Sequence, residues 1–589
     1  MELQSLIYLF GTITFAIYVG LALWTKASST KDFYIANNKV HPIFIGVSIA
    51  TEWIGAASFI SIAGTISYLG YNGTPYILGF TGGFVLLTLL IVPYLRKFGK
   101  FTIPDFIAQR YYSNKARLLT IIIIVLASFI YISAQMKGLG IIFSRFFQVD
   151  MYIGLLSAIG ILFLYAIFTG MRTNNYTQIA QYIIILFAYT FCAIFLSLQL
   201  TNSFLPQLAI FSPINFDFIT PLQTIKEGTP FLIALDKILV DFGFDSYSKS
   251  LDLINVFMIT MALMLGTATL PHLLIKFFTL STVKDTRKSA LWALIFVTLI
   301  FTTISSVASF SKINLLKNVQ NVEYEAFIQG EIKNNDTSIN NGKWLQIWQN
   351  SGFISWNDKN EDKKIQIDGT KNNELFINPD IVTLVNAEIA NLPNWIIALL
   401  ISGALAAILA TTTGLLLIIT TTISYDLWDE FIYKNNYKYP HKNKTKRLSI
   451  ILIVFILVAF ATFFTIPFYS IVQTVTISFT LIAATIFPAV VLGIFDKRMN
   501  KEGAFFGILT AFIFTFCYIV YFLFIDNSIE NMRNYLFGIT PEGIGTIGAI
   551  LNFIVALIVS RLTPLPPKSV QKLIQKIRIP TNIKNKIEL

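Results

Sequence analysis

Two ionisable residues stand deep inside apolar stretches of this sequence, where a charge is costly. Glu52 is in the middle of "GVSIATEWIGAASFISIAG", residues 46–64, and Lys137 is in "YISAQMKGLG", residues 131–140. Ionisable side chains within a membrane span usually face a cavity or an opposite charge. A cavity glutamate can take up a proton or hold a cation, and a cavity lysine can attract an anionic solute. Alternatively, Glu52 is structural and pairs with Lys137 or with a backbone donor.

A third stretch, "SGALAAILATTTGLLLIITTTISYDLW", residues 402–428, combines small residues with hydroxyls. Small residues let helices approach each other closely in a membrane. Ala407, Ala410 and Thr411 are three to four residues apart and share one helix face. Such a face can bring oxygens close to a cation, which carbonyls of a broken helix would complete. The threonine hydroxyls could equally bond to their own helix.

The composition shows which elements must position these residues. The chain has 589 residues, of which 55% are hydrophobic and 13% charged; soluble domains carry about 25% charged residues. It is therefore an all-α polytopic membrane protein. Thirteen runs of about 20 apolar residues predict spans near 5–25, 42–70, 75–95, 118–145, 152–171, 176–199, 253–275, 289–310, 395–424, 448–466, 470–494, 503–524 and 543–561. His272 and Lys276, near the end of the seventh span, are expected to reach the interface.

Basic residues set the predicted orientation. Of the 44 Lys and Arg residues, 30 fall in alternate connecting segments on one side, and eight of the others lie in one long segment, 311–394. Positive charge in short loops marks the cytoplasmic side. We therefore expect the N-terminus outside, the C-terminus in the cytoplasm, and 200–252 and 311–394 as outer segments. The net charge of +12 reflects topology and contact with lipid, and does not indicate a nucleic-acid partner.

Other classes of function fit less well. The three histidines and two cysteines form no metal motif or nucleophile–base spacing, so we expect no enzyme and no soluble cofactor. A channel would show a pore-lining polar repeat, which the sequence lacks. The membrane part of a sensor would carry a signalling domain, whereas about 28 residues follow the last span.

Four stretches together resemble the sodium:solute symporter family, most closely its cation/acetate (monocarboxylate) branch. They are "KDFYIANNKVHPIFIGVSIATEWIGAASFISIAG", "YLRKFGKFTIPDFIAQRY", "LGTATLPHLLIKFFTLSTVKDTRKSA" and "ALAAILATTTGLLLIITTTISYDLW". The resemblance implies a ten-helix core of two inverted five-helix repeats whose first helices are interrupted. The implied organisation is 1–41 as a peripheral span and loop, 42–199 as repeat one, 200–252 as an outer loop, 253–494 as repeat two with the insert 311–394, 495–561 as two peripheral spans, and 562–589 as a basic tail.

The resemblance also implies the site. The Na⁺ ion would be held by carbonyls of Thr51, Ile54 and Ala407 together with Ala410 and Thr411, or with Thr411 and Thr412 if the register differs by one. Many members of the family have two adjacent hydroxyl residues where this chain has Ala410 and Thr411. Proton coupling through Glu52 is therefore an alternative. Residues implied to bind the solute are Glu52, Trp53, Ala56, Ala57, Ser58, Lys137 and Gln178.

The resulting hypothesis is a cation-coupled symporter, with Na⁺ as the coupling ion, for acetate or another short monocarboxylate. It would sit in a bacterial cytoplasmic (inner) membrane and work by alternating access. Proline or another amino acid, a sugar and pantothenate are alternative solutes. Some members of the acetate branch work beside a small membrane partner, and the sequence leaves that open here.

Overall fold

The structure is a computed structural model of the chain. It describes residues 2–25, 36, 40–100, 102–166, 171–249, 252–280, 282–329, 342–370, 372–433, 470–525 and 534–578. The expected span at 448–466 lies outside these residues.

Helices make up most of the described chain. In chain order the α-helices are α1 Leu3–Trp24, α2 Pro42–Trp53, α3 Ile62–Leu69, α4 Thr74–Leu86, α5 Val92–Phe98, α6 Ile103–Arg110, α7 Asn114–Phe147, α8 Met151–Ala166, α9 Met171–Thr201, α10 Pro206–Ala209, α11 Phe231–Asp241, α12 Leu253–Ala268, α13 Pro271–Phe277, α14 Val283–Val319, α15 Tyr324–Gln329, α16 Lys343–Asn350, α17 Val382–Ile389, α18 Asn394–Thr421, α19 Ile471–Phe495, α20 Lys501–Val520, α21 Ile544–Leu562 and α22 Lys568–Arg578. The π-helical turns are Ala57–Ser61, Leu87–Ile91, Thr422–Tyr433 and Tyr521–Ile525, and the 3₁₀ turns are Gly70–Gly73, Pro379–Ile381 and Leu536–Gly538.

Six short strands lie outside the spans. They are β1 Phe218–Ile219, β2 Thr224–Ile225, β3 Val322–Glu323, β4 Ile354–Trp356, β5 Lys364–Ile365 and β6 Leu375–Ile377. All pair antiparallel, β1 with β2, β3 with β5 and β4 with β6, where Ile354 faces Ile377. The last two pairs belong to the segment between α14 and α18, residues 320–393, which we call the insert. The end of the membrane domain that it covers is called the insert side.

Ten described helical segments are long and apolar enough to cross a membrane, by length and composition. α14 runs on to Val319, beyond the predicted end at residue 310. The predicted second span is discontinuous, as the resemblance implied, and is made of α2, a π-turn and α3.

The first break follows α2. Ile54 has φ −86° and ψ 80°, which are not helical values, and the next residue is Gly55. A Cβ atom on Gly55 would lie 2.7 Å from Thr411 Oγ1 and 2.9 Å from Gln135 Oε1. Glycine is therefore required here because two neighbouring helices approach the backbone closely.

The second break separates α12 from α13. Leu270 is extended, with φ −62° and ψ 120°, and Pro271 opens α13. Proline disfavours the helical conformation in the residue before it and suits the first position of a helix. Local sequence thus produces both interruptions.

Packing places both breaks in the interior. α2 packs against α9 and α14, and α13 packs against α2 and α18. α18 also packs against α7 and α9, and its small residues from Ala404 to Ala410 are fully buried. The candidate residues of α2 and α18 therefore face each other at the centre of the helix bundle.

Candidate cation and solute site

A buried ion pair joins the two broken helices. Glu52 lies in the last turn of α2, and Lys276 lies in the last turn of α13. Lys276 Nζ contacts Glu52 Oε2, and both side chains are 1% exposed. A Cβ atom on Gly414 of α18 would lie 1.9 Å from Glu52 Oε1, so the carboxylate fits only against a glycine. The pair links repeat one to repeat two.

The ammonium of Lys276 is surrounded by oxygens. It donates to the Ser48 carbonyl at 2.9 Å, lies 2.8 Å from Ser48 Oγ, and contacts Gln178 Oε1 as well as Glu52. Gln178 Nε2 in turn donates to Glu52 Oε2 at 3.3 Å and to the Ala410 carbonyl at 3.0 Å. Carbonyl, hydroxyl, amide and carboxylate oxygens thus surround this positive group, and such a set of acceptors suits a cation.

This geometry corrects two expectations. His272 and Lys276 do not reach the interface: they are 2% and 1% exposed. Because α13 is a short half-helix wedged between α2 and α18, residues four apart on its face point into the protein. Glu52 is not paired with Lys137 either, because Lys276 is its partner.

Lys137 belongs to a second ion pair. Its Nζ lies 2.7 Å from Asp380 Oδ2, in the insert. The other oxygen of Asp380 accepts from Ser61 Oγ at 2.6 Å and from the Ile471 amide at 2.9 Å. One buried carboxylate thus ties α7, the π-turn after the first break and the first turn of α19 to the insert. Lys137 acts at this junction and is not placed beside Glu52.

The predicted Na⁺ ligands of α18 face the first break. Thr411 Oγ1 donates to the carbonyl of Glu52 at 2.7 Å and lies 3.3 Å from the Ala407 carbonyl. Thr412 Oγ1 donates to Ile408 of its own helix at 2.6 Å. Of the two threonine registers, the structure places Thr411 against the broken helix. Ala410 offers its carbonyl, which already accepts from Gln178.

The predicted ligands of α2 lie at the same place. Thr51 Oγ1 lies 2.7 Å from the Val47 carbonyl and 2.9 Å from the Gln178 carbonyl, so its hydroxyl joins α2 to α9. The carbonyls of Thr51 and Ile54 belong to the last turn and the C-cap of α2, where helical acceptors lack partners. The structure brings Thr51, Ile54 and Thr411 together around one gap in the helix.

Trp53 forms an aromatic wall beside the break. Its ring lies 5.4 Å from Phe80 and 5.7 Å from Phe479, in tilted or edge-on contacts. Phe479 contacts Tyr131, which contacts His272. Ala56, Ala57 and Ser58 are buried after the break, and Ser58 Oγ lies 3.4 Å from the Trp53 carbonyl. These residues form a buried wall of aromatic and small side chains beside the first break.

A further residue was missed as a site candidate from the sequence. Gln135, one turn after Tyr131 on α7, accepts from the Ala56 amide through Oε1 at 2.9 Å. Buried atoms without a hydrogen-bond partner among the described residues include Trp53 Nε1, Gln135 Nε2 and His272 Nε2. Unpaired buried polar atoms are uncommon and call for a ligand or water. The sequence did contain a signal for this residue, since Gln135 is a polar residue within an apolar span.

The end of the bundle opposite the insert is also tied together. Thr102 Oγ1 donates to Asp426 Oδ1 at 2.6 Å, and Arg117 binds Asp105 at 2.5 Å. Glu52, Lys276, Gln178 and Thr411 are each at most 1% exposed. Within the described part of the chain, buried contacts therefore hold the helices together at both ends of the bundle.

Two broken helices that meet in the interior, with charged and hydroxyl groups at the breaks, define a secondary active transporter built from inverted repeats. Residues 33–328 and 372–511 match the Sodium:solute symporter family, and the chain belongs to that family. The protein is accordingly a multi-pass membrane symporter.

Relatives agree with this assignment. The chain is 28% identical to an uncharacterised symporter of Cupriavidus necator over 97% of this chain and 93% of the relative. It is 26% identical to an uncharacterised symporter of Bacillus subtilis over 46% of this chain and 48% of the relative. A Na⁺-coupled sialic acid symporter, solved in a substrate-bound outward-open state, has the same fold, with a TM-score of 0.63 at 13% identity over 96% of this chain and 99% of that one.

Proposed function

We propose that the protein couples a cation, Na⁺ in the first place, to the uptake of a small organic solute, acetate or another short monocarboxylate. The observation that carries the Na⁺ proposal is the 2.7 Å contact between Thr411 Oγ1 and the Glu52 carbonyl at the first break. A hydroxyl and freed carbonyls at one point are the ligands that a hard monovalent cation prefers. Thr51, Ile54, Ala407 and Ala410 contribute the remaining carbonyls.

Proton coupling is a second candidate, and the Lys276 ammonium favours it. This ammonium already fills an oxygen-rich position next to the proposed Na⁺ site, bound by Ser48, Gln178 and Glu52. Loss or gain of one proton by the Glu52–Lys276 pair would break or restore the link between the two repeats. In that mechanism a bound proton takes the place of Na⁺.

The solute proposal rests on the donors beside the break. Trp53 Nε1 and Gln135 Nε2 are buried N–H donors without partners among the described residues. A carboxylate offers two acceptor oxygens and would satisfy both. The aromatic wall of Trp53 and Phe479 and the small residues Ala56 and Ala57 suit a short apolar tail. Proline, another amino acid, a sugar and pantothenate are alternative solutes of the same mechanism.

In the proposed cycle the insert side is extracellular, the membrane is the bacterial inner membrane, and the N-terminus is outside. Cation and solute enter when the Asp380 junction opens. Closure then gives an occluded state, and release follows when the contacts of Thr102 and Arg117 break. A monoanion moving with one cation carries no net charge, so the membrane potential would not drive it directly.

The test is uptake of labelled acetate into vesicles that contain only this protein. An inward Na⁺ gradient and an inward proton gradient are imposed separately, with the membrane potential clamped. Uptake that follows Na⁺ supports the Thr411 site. Uptake that follows protons alone supports the Glu52–Lys276 pair as the carrier. No uptake under either gradient refutes the proposed solute or shows that a small membrane partner is required. Uptake of the other candidate solutes in labelled form distinguishes these two outcomes.

A further inference from the structure

A small buried cavity lies under the insert, apart from the residues discussed so far. It measures about 20 Å³ and is bordered by α3, α14 and α17. Most of its surface is apolar, and the polar residues that border it are Ser67, Tyr68, Ser311, Lys312 and Asn386. A volume of this size holds one water-sized or halide-sized occupant.

Lys312 gives the cavity a positive charge. The side chain is 7% exposed, and its Nζ lies over the rings of Tyr68 at 4.3 Å and Phe244 at 4.7 Å. Among the described residues no carboxylate forms an ion pair with it. Aromatic faces attract an ammonium, yet they do not neutralise it, and a buried charge without a counter-ion is strongly disfavoured.

Asn386 adds a directed donor. It is 1% exposed, and its Oδ1 accepts from Asn314 Nδ2 at 3.0 Å. This bond fixes the orientation of the amide, so that Nδ2 is the free end, and Nδ2 has no partner among the described residues. A buried N–H without an acceptor is unfavourable. Ser311 and Ser67, whose hydroxyls lie 2.9 Å apart, complete the polar side.

We propose that Lys312 and Asn386 form a binding site for a small monovalent anion of halide size, chloride in the first place. The anion would neutralise the Lys312 ammonium and accept from Asn386 Nδ2. It would at the same time join the outer half of the broken helix, α3, to α14 and to α17 of the insert. A bound anion therefore stabilises the insert in its closed position. The carboxylate of a solute has the same charge and is the other source of such an anion.

This site does not depend on which solute or coupling ion the protein uses, so its test stands alone. The purified full-length protein is unfolded by heat at constant ionic strength while gluconate is exchanged for chloride. Gluconate is too large for the cavity. Binding to the folded state alone raises the melting temperature in a saturable way, by roughly 2 °C for a site of moderate affinity. A parallel series with acetate shows whether a carboxylate replaces chloride.

Three variants give the test its specificity. Lys312→Met and Asn386→Asp, the second of which places a negative charge in the cavity, should both abolish the chloride effect. Lys317→Met is the matched control, since Lys317 is on the same helix over the ring of Phe216 at 3.9 Å and does not border the cavity; this variant should retain the effect. In crystals grown with bromide, anomalous scattering should appear between Lys312 and Asn386, which tests the site even if a variant fails to fold.

The proposal is overturned by any of three results. These are a melting temperature that is the same in chloride and gluconate, a chloride effect that persists in Lys312→Met, and the absence of bromide from the cavity. The first and third outcomes together would assign the cavity to a water molecule.

Discussion

Lys276 of α13 holds the carboxylate of Glu52 of α2, so that one ion pair closes the gap between the two interrupted helices. The pair is enclosed by Gln178, which also reaches the Ala410 carbonyl of α18. Helices α2 and α13, and through Gln178 also α9 and α18, therefore meet at one pair of charges.

Removing one partner of this pair should destabilise the protein more than removing both. Glu52→Gln or Lys276→Met alone leaves a buried charge unpaired, which lowers the free energy of unfolding by about 3–5 kcal/mol. The double variant should recover most of the loss, because neither charge remains. Thermal unfolding of the four proteins in detergent measures the effect. A double variant no more stable than the weaker single variant would contradict the pairing.

Thr411→Ala should weaken Na⁺ activation. Losing an oxygen ligand of a cation costs about 1.5–3 kcal/mol, so the Na⁺ concentration for half-maximal uptake should rise about tenfold or more. Thr412→Ala is the matched control because its hydroxyl bonds within its own helix; its activation should change less than about twofold. Equal effects in both variants would remove Thr411 from the site.

Trp53→Phe tests the solute position. The ring contacts with Phe80 and Phe479 are kept, while the N–H donor Nε1 is lost. If the solute carboxylate accepts from Nε1, its KM should rise about tenfold, with the Na⁺ dependence unchanged. Uptake kinetics at saturating cation measure this. An unchanged KM would place the solute away from Trp53.

Asp380→Asn should loosen closure at the insert side. The carboxylate accepts from two groups and pairs with Lys137, so its neutralisation should shift the population towards an open state about tenfold. A cysteine at Ser58, in a protein whose exposed Cys517 is replaced, should then react with a maleimide correspondingly faster.

The matched control for this experiment is Glu388→Gln. Glu388 forms a buried ion pair with Arg145, at 2.7 Å, and so also joins the insert to α7. It contacts neither Ser61 nor the start of α19 in the described hydrogen bonds. Labelling that accelerates equally in both variants would indicate loosening of the insert as a whole, and Asp380 would have no special role.

Glu542, in the loop before α21, should make stability depend on pH. Burial raises the pKa of its carboxyl from 4.5 to about 7, although hydrogen bonds from Thr540 and Gln473 oppose the shift. Between these values the folded protein keeps a proton that the unfolded chain releases, so stability falls as pH rises through the window. In Glu542→Gln this fall, at most about 1.4 kcal/mol per pH unit, should disappear. Thermal unfolding from pH 4 to 8 measures the difference between the two proteins.

The sequence predicted the features that depend on local signals. Apolar run length predicted the polytopic helical architecture. The resemblance implied the interruptions, which Gly55 and Pro271 produce because they act on the backbone beside them. The site prediction was less complete. Depth along a helix can be counted from the sequence, but the face that a residue presents depends on packing. For this reason Lys276 was assigned to the interface, although α13 turns it inward.

Long-range partners could not be predicted in the same way. Lys137 and Asp380 meet only because the insert folds back over the membrane domain, and nothing near either residue indicates the other. The same holds for Asn386 and Lys312. Gln135 is an intermediate example, since a polar residue in an apolar span is visible in the sequence while its bond to the Ala56 amide is not.

The contact between Asp380 and the first turn of α19 makes the insert a candidate site for inhibitors. Asp380 is carried by the insert, yet its carboxylate accepts from the first turn of α19, which packs against the π-turn after the first break. A nanobody or peptide that binds this segment and holds it in place would inhibit the transporter. It would not need to cross the lipid or compete with the solute. The insert is therefore a target for selective inhibitors of this protein.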